Sequence, residues 1–297
     1  MSFDSHSTLH TSHPSVKLVE CPRDAMQGIH EFIPTDLKIK YLNQLLKVGF
    51  DTLDFGSFVS PKAIPQMRDT AEVLARLELD NVSTKLLAII ANLRGAQDAC
   101  QHQEITYLGF PLSLSETFQQ RNTNRSIAEA FEELKQIQEL VVRNGKILVV
   151  YLSMGFGNPY GDPYDEAYLA EFVSKLKAFG VTIICPSDTI GVSAPDNITA
   201  LFSSLIKNFP GIEFGAHLHS NPLTAEEKLQ AAFQAGCRRF DGAIRGFGGC
   251  PMAKDELTGN MATEKIITYL ESLSIDLKLN KPAFEEAMNL SAKVFPV

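Results

Sequence analysis

Residues 213–243, EFGAHLHSNPLTAEEKLQAAFQAGCRRFDGA, read as one strand, one helix and a second strand. Residues 213–217 and 239–243 are short runs bounded by turn-forming residues, and 224–235 carries apolar residues at helical spacing. A pair of parallel strands needs such a crossover, and all crossovers in one sheet share one hand. The same unit repeats along the chain. Further strands are expected at 16–20, 52–55, 85–90, 105–108, 147–152 and 181–185. Helices are expected at 35–48, 126–142, 164–179, 195–209 and 262–273, with weaker helical patterns at 63–77, which carries Pro65, and 92–100. Residues 126–129, S-I-A-E, form a capping box, and Thr35-Asp36 is a capping start. Eight strands, each followed by a helix, predict an α/β fold of the TIM (β/α)8 barrel type, with 280–297 as an extra C-terminal helix. Residues 15–297 are expected to form a single barrel domain, and 1–14 a mobile N-terminal tail.

Composition narrows the function. The chain of 297 residues has 27 basic and 35 acidic side chains, a net charge of −8, which argues against nucleic acid or an anionic membrane as partner. No apolar run reaches the ~20 residues that a bilayer span needs. The five cysteines (Cys21, Cys100, Cys185, Cys237, Cys250) are widely spaced, with no Cys-x-x-Cys pair, so free thiols in a reducing compartment are expected. The first 14 residues have no apolar core and no arginine, and they include Asp4. A cytoplasmic location is the expectation.

In this barrel the C-terminal strand ends carry the chemistry. Four clusters fall there. Arg23-Asp24 follows the first strand, where it can serve a metal and a substrate oxygen or simply close a surface salt bridge. His217-Leu218-His219 ends the seventh strand; residues two apart share a face, so the two imidazoles form a same-face pair suited to a divalent ion, which Asp24 could join. After the eighth strand, 245–251 (RGFGGCP) holds three glycines in four residues and Cys250. It reads as a lid or anion nest with a reactive thiol, or as a tight turn with a buried one. Asn260, in 259–264 (GNMATE), is either the N-cap of the last barrel helix or an oxygen ligand.

Together these clusters resemble the 3-hydroxy-3-methylglutaryl-CoA lyase family, within the metal-dependent barrel enzymes related to isopropylmalate and homocitrate synthases. The matching stretches are PRDAMQ (22–27), SFVSPKAIPQM (57–67), SETFQQRNTNRSIAEA (115–130), SDTIGVSAP (187–195), HLH (217–219), GFGGCPMA (246–253) and GNMATE (259–264), in family order over about 16–273. The resemblance implies a divalent metal, Mg²⁺ or Mn²⁺, on Asp24, His217, His219 and Asn260. It implies Arg23 as stabiliser of the enolate oxygen, Cys250 as proton donor, and catalytic acids at Asp54, where the family carries glutamate, and at Asp188. Asp24, His217 and Asp54 remain open as the general base. Arg121 and Asn122 fall on the coenzyme A side.

The implied reaction is carbon–carbon cleavage of (S)-3-hydroxy-3-methylglutaryl-CoA to acetoacetate and acetyl-CoA, set in leucine degradation or ketone-body formation, by an enzyme that is often a homodimer. The alternatives are a related lyase or aldolase on another 3-hydroxyacyl-CoA or hydroxy acid, and a non-catalytic ligand-binding barrel. Besides Asp54 for glutamate, and one residue more than is usual from Pro251 to Asn260, three departures from the family pattern stand near the site. Serine replaces an acid at Ser220 and a glycine at Ser187, and 18–21 reads L-V-E-C where Val-Glu-Val-Gly is usual. That last change moves the acid by one residue to Glu20, which should turn it to the opposite face of the strand.

Overall fold

The computed structural model describes residues 15–249 and 258–295; the expected tail at 1–14 and Cys250 lie outside them. The strands are β1 (Lys17–Glu20), β2 (Thr52–Ser57), β3 (Lys85–Ile89), β4 (Ile105–Ser113), β5 (Ile147–Ser153), β6 (Ile183–Pro186), β7 (Glu213–Ala216), β8 (His219–Ser220), β9 (Arg239–Gly242) and β10 (Gly259–Asn260). Eight of them close a parallel barrel in the order β1-β2-β3-β4-β5-β6-β7-β9, while β8 and β10 pair antiparallel as a separate ribbon. The helices are α1 (Pro22–Gln27), α2 (Thr35–Leu46), α3 (Thr70–Leu74), α4 (Leu93–Cys100), α5 (Glu116–Thr123), α6 (Ile127–Arg143), α7 (Glu166–Ala178), α8 (Pro195–Asn208), α9 (Ala225–Gln234), α10 (Thr263–Ser272) and α11 (Lys281–Val294). The barrel and its extra C-terminal helix are therefore as expected. Among the described residues no helix is long and apolar enough to cross a membrane, and Cys21, Cys100, Cys185 and Cys237 are free thiols.

Strand alternation sorts the buried side chains into two bodies. Leu87, Ile89, Tyr107, Val149, Tyr151, Ile183 and Cys185 pack together inside the barrel. Their strand neighbours, such as Leu86, Ala88, Leu108, Leu148, Val150 and Ile184, join the larger core between sheet and helices. Helix α6 shows how a layer is built. Ser126 and Glu129 complete the capping box, and Ala130, Phe131, Leu134, Ile137 and Val141 are buried along one stripe. Phe131 meets Phe172 of α7 at 5.1 Å between ring centroids.

The boundaries differ from expectation where turn residues mislead. Strand β4 runs on to Ser113, through Gly109 and Pro111. Strand β3 ends at its Ile89–Gly109 pair, so beyond that point β4 has only β5 beside it, and Pro111 removes no donor from the β3 side. The helix expected at 63–77 breaks into a 3-10 turn, Pro65–Met67, and the short α3. Helix α5 was not expected at all. Ser115 caps it by accepting from the Phe118 N–H, and Asp162 accepts from both Ser115 Oγ and the Thr117 N–H.

Candidate active site

The mouth of the barrel collects the sequence candidates from five places. Pro22 starts α1 directly after β1, so the chain turns at once and presents Arg23 and Asp24 over the barrel. Asp54 comes from β2. His217 follows β7, where it bridges to Ser187, and His219 lies on β8. Asn260 lies on β10, placed opposite His219 by the antiparallel register. It is not the N-cap of the last barrel helix, which begins at Thr263 after Ala262.

Arg23 is held on several sides. Its Nε donates to Asp54 at 3.0 Å and its Nη2 at 2.6 Å, while Nη1 donates to Asp24 at 3.1 Å and to the Gln27 side chain at 2.8 Å. Burial presses against ionisation of Asp24, but Arg23, His217 and the Asn260 amide outweigh it and hold the carboxyl below its usual range. For Asp54 the balance reverses. Burial dominates the opposing pull of Arg23, and its acid is pushed up to about 6.

The ligand atoms of Asp24, His217 and His219 all lie within 4.8 Å of one another. Asn260 reaches the same place, donating from Nδ2 to Asp24 at 2.8 Å and to the Phe247 carbonyl at 2.9 Å. His219 is 4% exposed, yet neither ring nitrogen has a hydrogen-bond partner among the described residues. Burial and the neighbouring His217 lower it to about 4, although Asp24 and the Thr189 carbonyl favour its proton. A buried imidazole left neutral and unpartnered beside an ionised carboxylate is the donor chemistry of a divalent-metal site, and these residues fit such an ion.

Gly248 and Gly249 let the loop after β9 close on this set. Both have positive φ, +88° and +128°. A Cβ on Gly248 would stand 2.8 Å from the Asn260 amide and one on Gly249 2.9 Å from the Thr258 carbonyl.

The other candidates separate. Asn122 lines the cavity below the mouth, about 360 Å³, together with Arg23, Asp24, Asp54, Phe118, Tyr151, His217 and His219. Arg121 does not line it; its guanidinium stacks 4.8 Å from the Tyr160 ring centroid. Asp188 does not line it either. It is 1% exposed, accepts from Ser193 N–H and Oγ at 3.1 and 2.5 Å and pairs with Lys228 at 3.1 Å. Lys228 also donates to the His219 carbonyl at 2.8 Å, so Asp188 stands behind the histidine and is joined to it through Lys228. A larger cavity of about 730 Å³ opens at the start of α8, but its lysine, Lys228, is already committed to these contacts. The expected turning of the acid before Arg23 is observed: Glu20 points outward, accepting from the Ile244 N–H at 2.9 Å and from Thr263 Oγ at 2.5 Å.

Two residues that sequence reasoning missed stand against His217. Asp241 Oδ2 lies 3.1 Å from Nδ1, and the Tyr151 ring meets the imidazole edge-on at 5.5 Å. Burial opposes protonation of His217, but Asp241 and then Asp24 reverse this and raise it. The available signal was Asp241 itself, a carboxylate at an inward position of a barrel strand.

A closed (β/α)8 barrel with an arginine, a carboxylate and two histidines gathered at the C-terminal strand ends is a barrel enzyme with a metal-type centre. A family model described as HMGL-like matches residues 16–290. The chain belongs to that family. It is 33% identical over 262 residues to a hydroxymethylglutaryl-CoA lyase of Bacillus subtilis, covering 88% of this chain and 87% of the relative. Among solved structures, an HMG-CoA lyase from Brucella melitensis superposes with a TM-score of 0.88 at 27% identity, covering 95% of this chain and 99% of that one. Another, from A. baumannii in complex with coenzyme A and 3-methylmalate, gives 0.87 at 28% identity, with 94% and 91% covered.

Proposed function

We propose that this chain is a divalent-metal-dependent carbon–carbon lyase cleaving (S)-3-hydroxy-3-methylglutaryl-CoA to acetoacetate and acetyl-CoA. The observation that carries the reading is the Asp24–His217–His219 cluster, with His219 buried and its ring nitrogens unpartnered among the described residues, beside Arg23 in the cavity. Asp24, His217, His219 and Asn260 would hold the ion, the last through its amide oxygen. Bound there, Mg²⁺ or Mn²⁺ would polarise the substrate's oxygens and ease loss of the hydroxyl proton.

The chain's own groups supply the rest. Arg23 is locked by Asp54, Asp24 and Gln27, so its fixed positive charge is pre-organised for the thioester oxygen that gains charge as the bond breaks. Asp54 and Asp24 are both ionised above about pH 6 and are candidates to take the hydroxyl proton. The electron pair of the broken carbon–carbon bond passes to the acetyl-CoA carbon, which takes a proton; Cys250, at the family's donor position, is the proposed source. Asn122 of α5 lines the cavity and is proposed for its coenzyme A side; that the chain takes an acyl-CoA at all is supported by the similar enzyme in complex with coenzyme A. Arg121, stacked on Tyr160, is proposed only at its rim.

The test is acetoacetate release from HMG-CoA with added Mg²⁺, run beside His217→Ala and Cys250→Ala. Cleavage that needs metal and is lost in both variants supports the reading. A native protein that binds the ion but leaves HMG-CoA intact turns it to another 3-hydroxyacyl substrate.

A further inference from the structure

The cavity-lining residues account for the ligand set but not for the carboxylate beneath it. Asp241 is 3% exposed and approaches His217 Nδ1 at 3.1 Å, while its Oδ1 has no hydrogen-bond partner among the described residues. A buried anion with one idle oxygen is costly and calls for a reason. Part of the balance lies two residues away on the same strand face. Arg239 is fully buried, pairs with Glu213 at 3.2 Å, and leaves Nε and Nη2 unpartnered among the described residues. Its guanidinium gives Asp241 a positive neighbour inside the barrel without taking the oxygen that faces the histidine.

We infer that Asp241 is a positioning residue that fixes the tautomer of His217, accepting its Nδ1–H so that Nε2 keeps the free electron pair a metal ligand needs. An ionised carboxylate accepts and never donates, so the ring has only one way to meet it. His219 has no carboxylate partner within hydrogen-bond distance of either ring nitrogen among the described residues, and Lys228 donates to its main-chain carbonyl. The two histidines are therefore unequal: a carboxylate stands against the ring of one and not of the other. An oxygen partner behind a ligating imidazole raises its basicity, and losing one typically weakens metal affinity about 10–100-fold. This inference rests on the metal reading above.

Two measurements test it separately from activity. The first titrates Mn²⁺ into the native protein and Asp241→Asn by electron paramagnetic resonance. The asparagine keeps the shape but can offer an N–H to Nδ1, favouring the wrong tautomer, so binding about 10–100-fold weaker is expected. The second needs no variant. Long-range ¹H–¹⁵N correlation of the metal-free native protein at alkaline pH, with His217 assigned from the peak missing in His217→Gln, should show the Nδ1–H form. An Nε2–H form overturns the inference, as does Asp241→Asn binding Mn²⁺ within twofold of native. If the variant does not fold, the native tautomer decides. Native protein that binds no Mn²⁺ overturns the metal reading instead.

Discussion

Glu20 offers a test that runs through stability and not through catalysis. It is fully buried between β1 and α10, and burial, working against the donors Thr263 and Ile244, pushes its acid from 4.5 up to about 8. The native state therefore keeps a proton that the unfolded chain gives up between those two pH values. Stability is fully present below about pH 4.5 and falls as pH rises, by about 1.4 kcal/mol per unit, levelling off above about 8. Over the whole window this amounts to an upper bound of about 5 kcal/mol.

Glu20→Gln mimics the protonated acid: its oxygen accepts from Ile244 N–H and its amide donates to Thr263 Oγ. Urea unfolding of both proteins from acid to alkaline pH should give near-equal stability at the acid end. The variant should gain steadily, becoming more stable than native by several kcal/mol at pH 8. A difference that stays flat with pH, or a native protein still the more stable at pH 8, would refute the reasoning.

Three further outcomes are expected. Lys228→Met strands the buried Asp188 and frees the His219 carbonyl; urea unfolding should show a loss of about 3–5 kcal/mol, and a loss under ~1 kcal/mol would remove the pair from the scaffold of the site. The ionised form of Asp54 disappears below about 6, so kcat/KM for cleavage should fall as pH drops through that value. In Asp54→Asn the residual rate should lack this limb, and a limb that persists assigns it to another group. Exhaustive chelation should abolish cleavage and Mg²⁺ restore it, whereas His219→Ala should lose tight Mn²⁺ binding with its melting temperature little changed.

Much of this was legible because strand ends announce themselves. The repeated strand–helix unit defined the barrel, and Arg23, Asp24, His217 and His219 followed from their places at its mouth. The one-residue displacement of Glu20 was readable as a change of face, since a strand has period two. What escaped had physical causes. Pro111 hid half of β4, because its cost depends on whether a neighbouring strand is present. The role of Asp188 needed Lys228, 40 residues on, a contact that only the fold creates. Nothing in the sequence ties Asp241 to His217, 24 residues before it; the barrel alone brings them to 3.1 Å. The first N–H of α10, that of Thr263, donates to the Ala243 carbonyl at 3.1 Å, so the helix begins on a main-chain acceptor from the loop after β9 and not on Asn260.

The pairing of β10 with β8 has a consequence for inheritance. Asn260 owes its address to the main chain of His219, not to the path the polypeptide takes after Gly249. A change in the number of residues between Gly249 and Gly259 therefore need not displace Asn260. A lineage can thus vary the length of that stretch while passing on the Asp24, His217, His219 and Asn260 set unaltered, two traits free to evolve at different speeds.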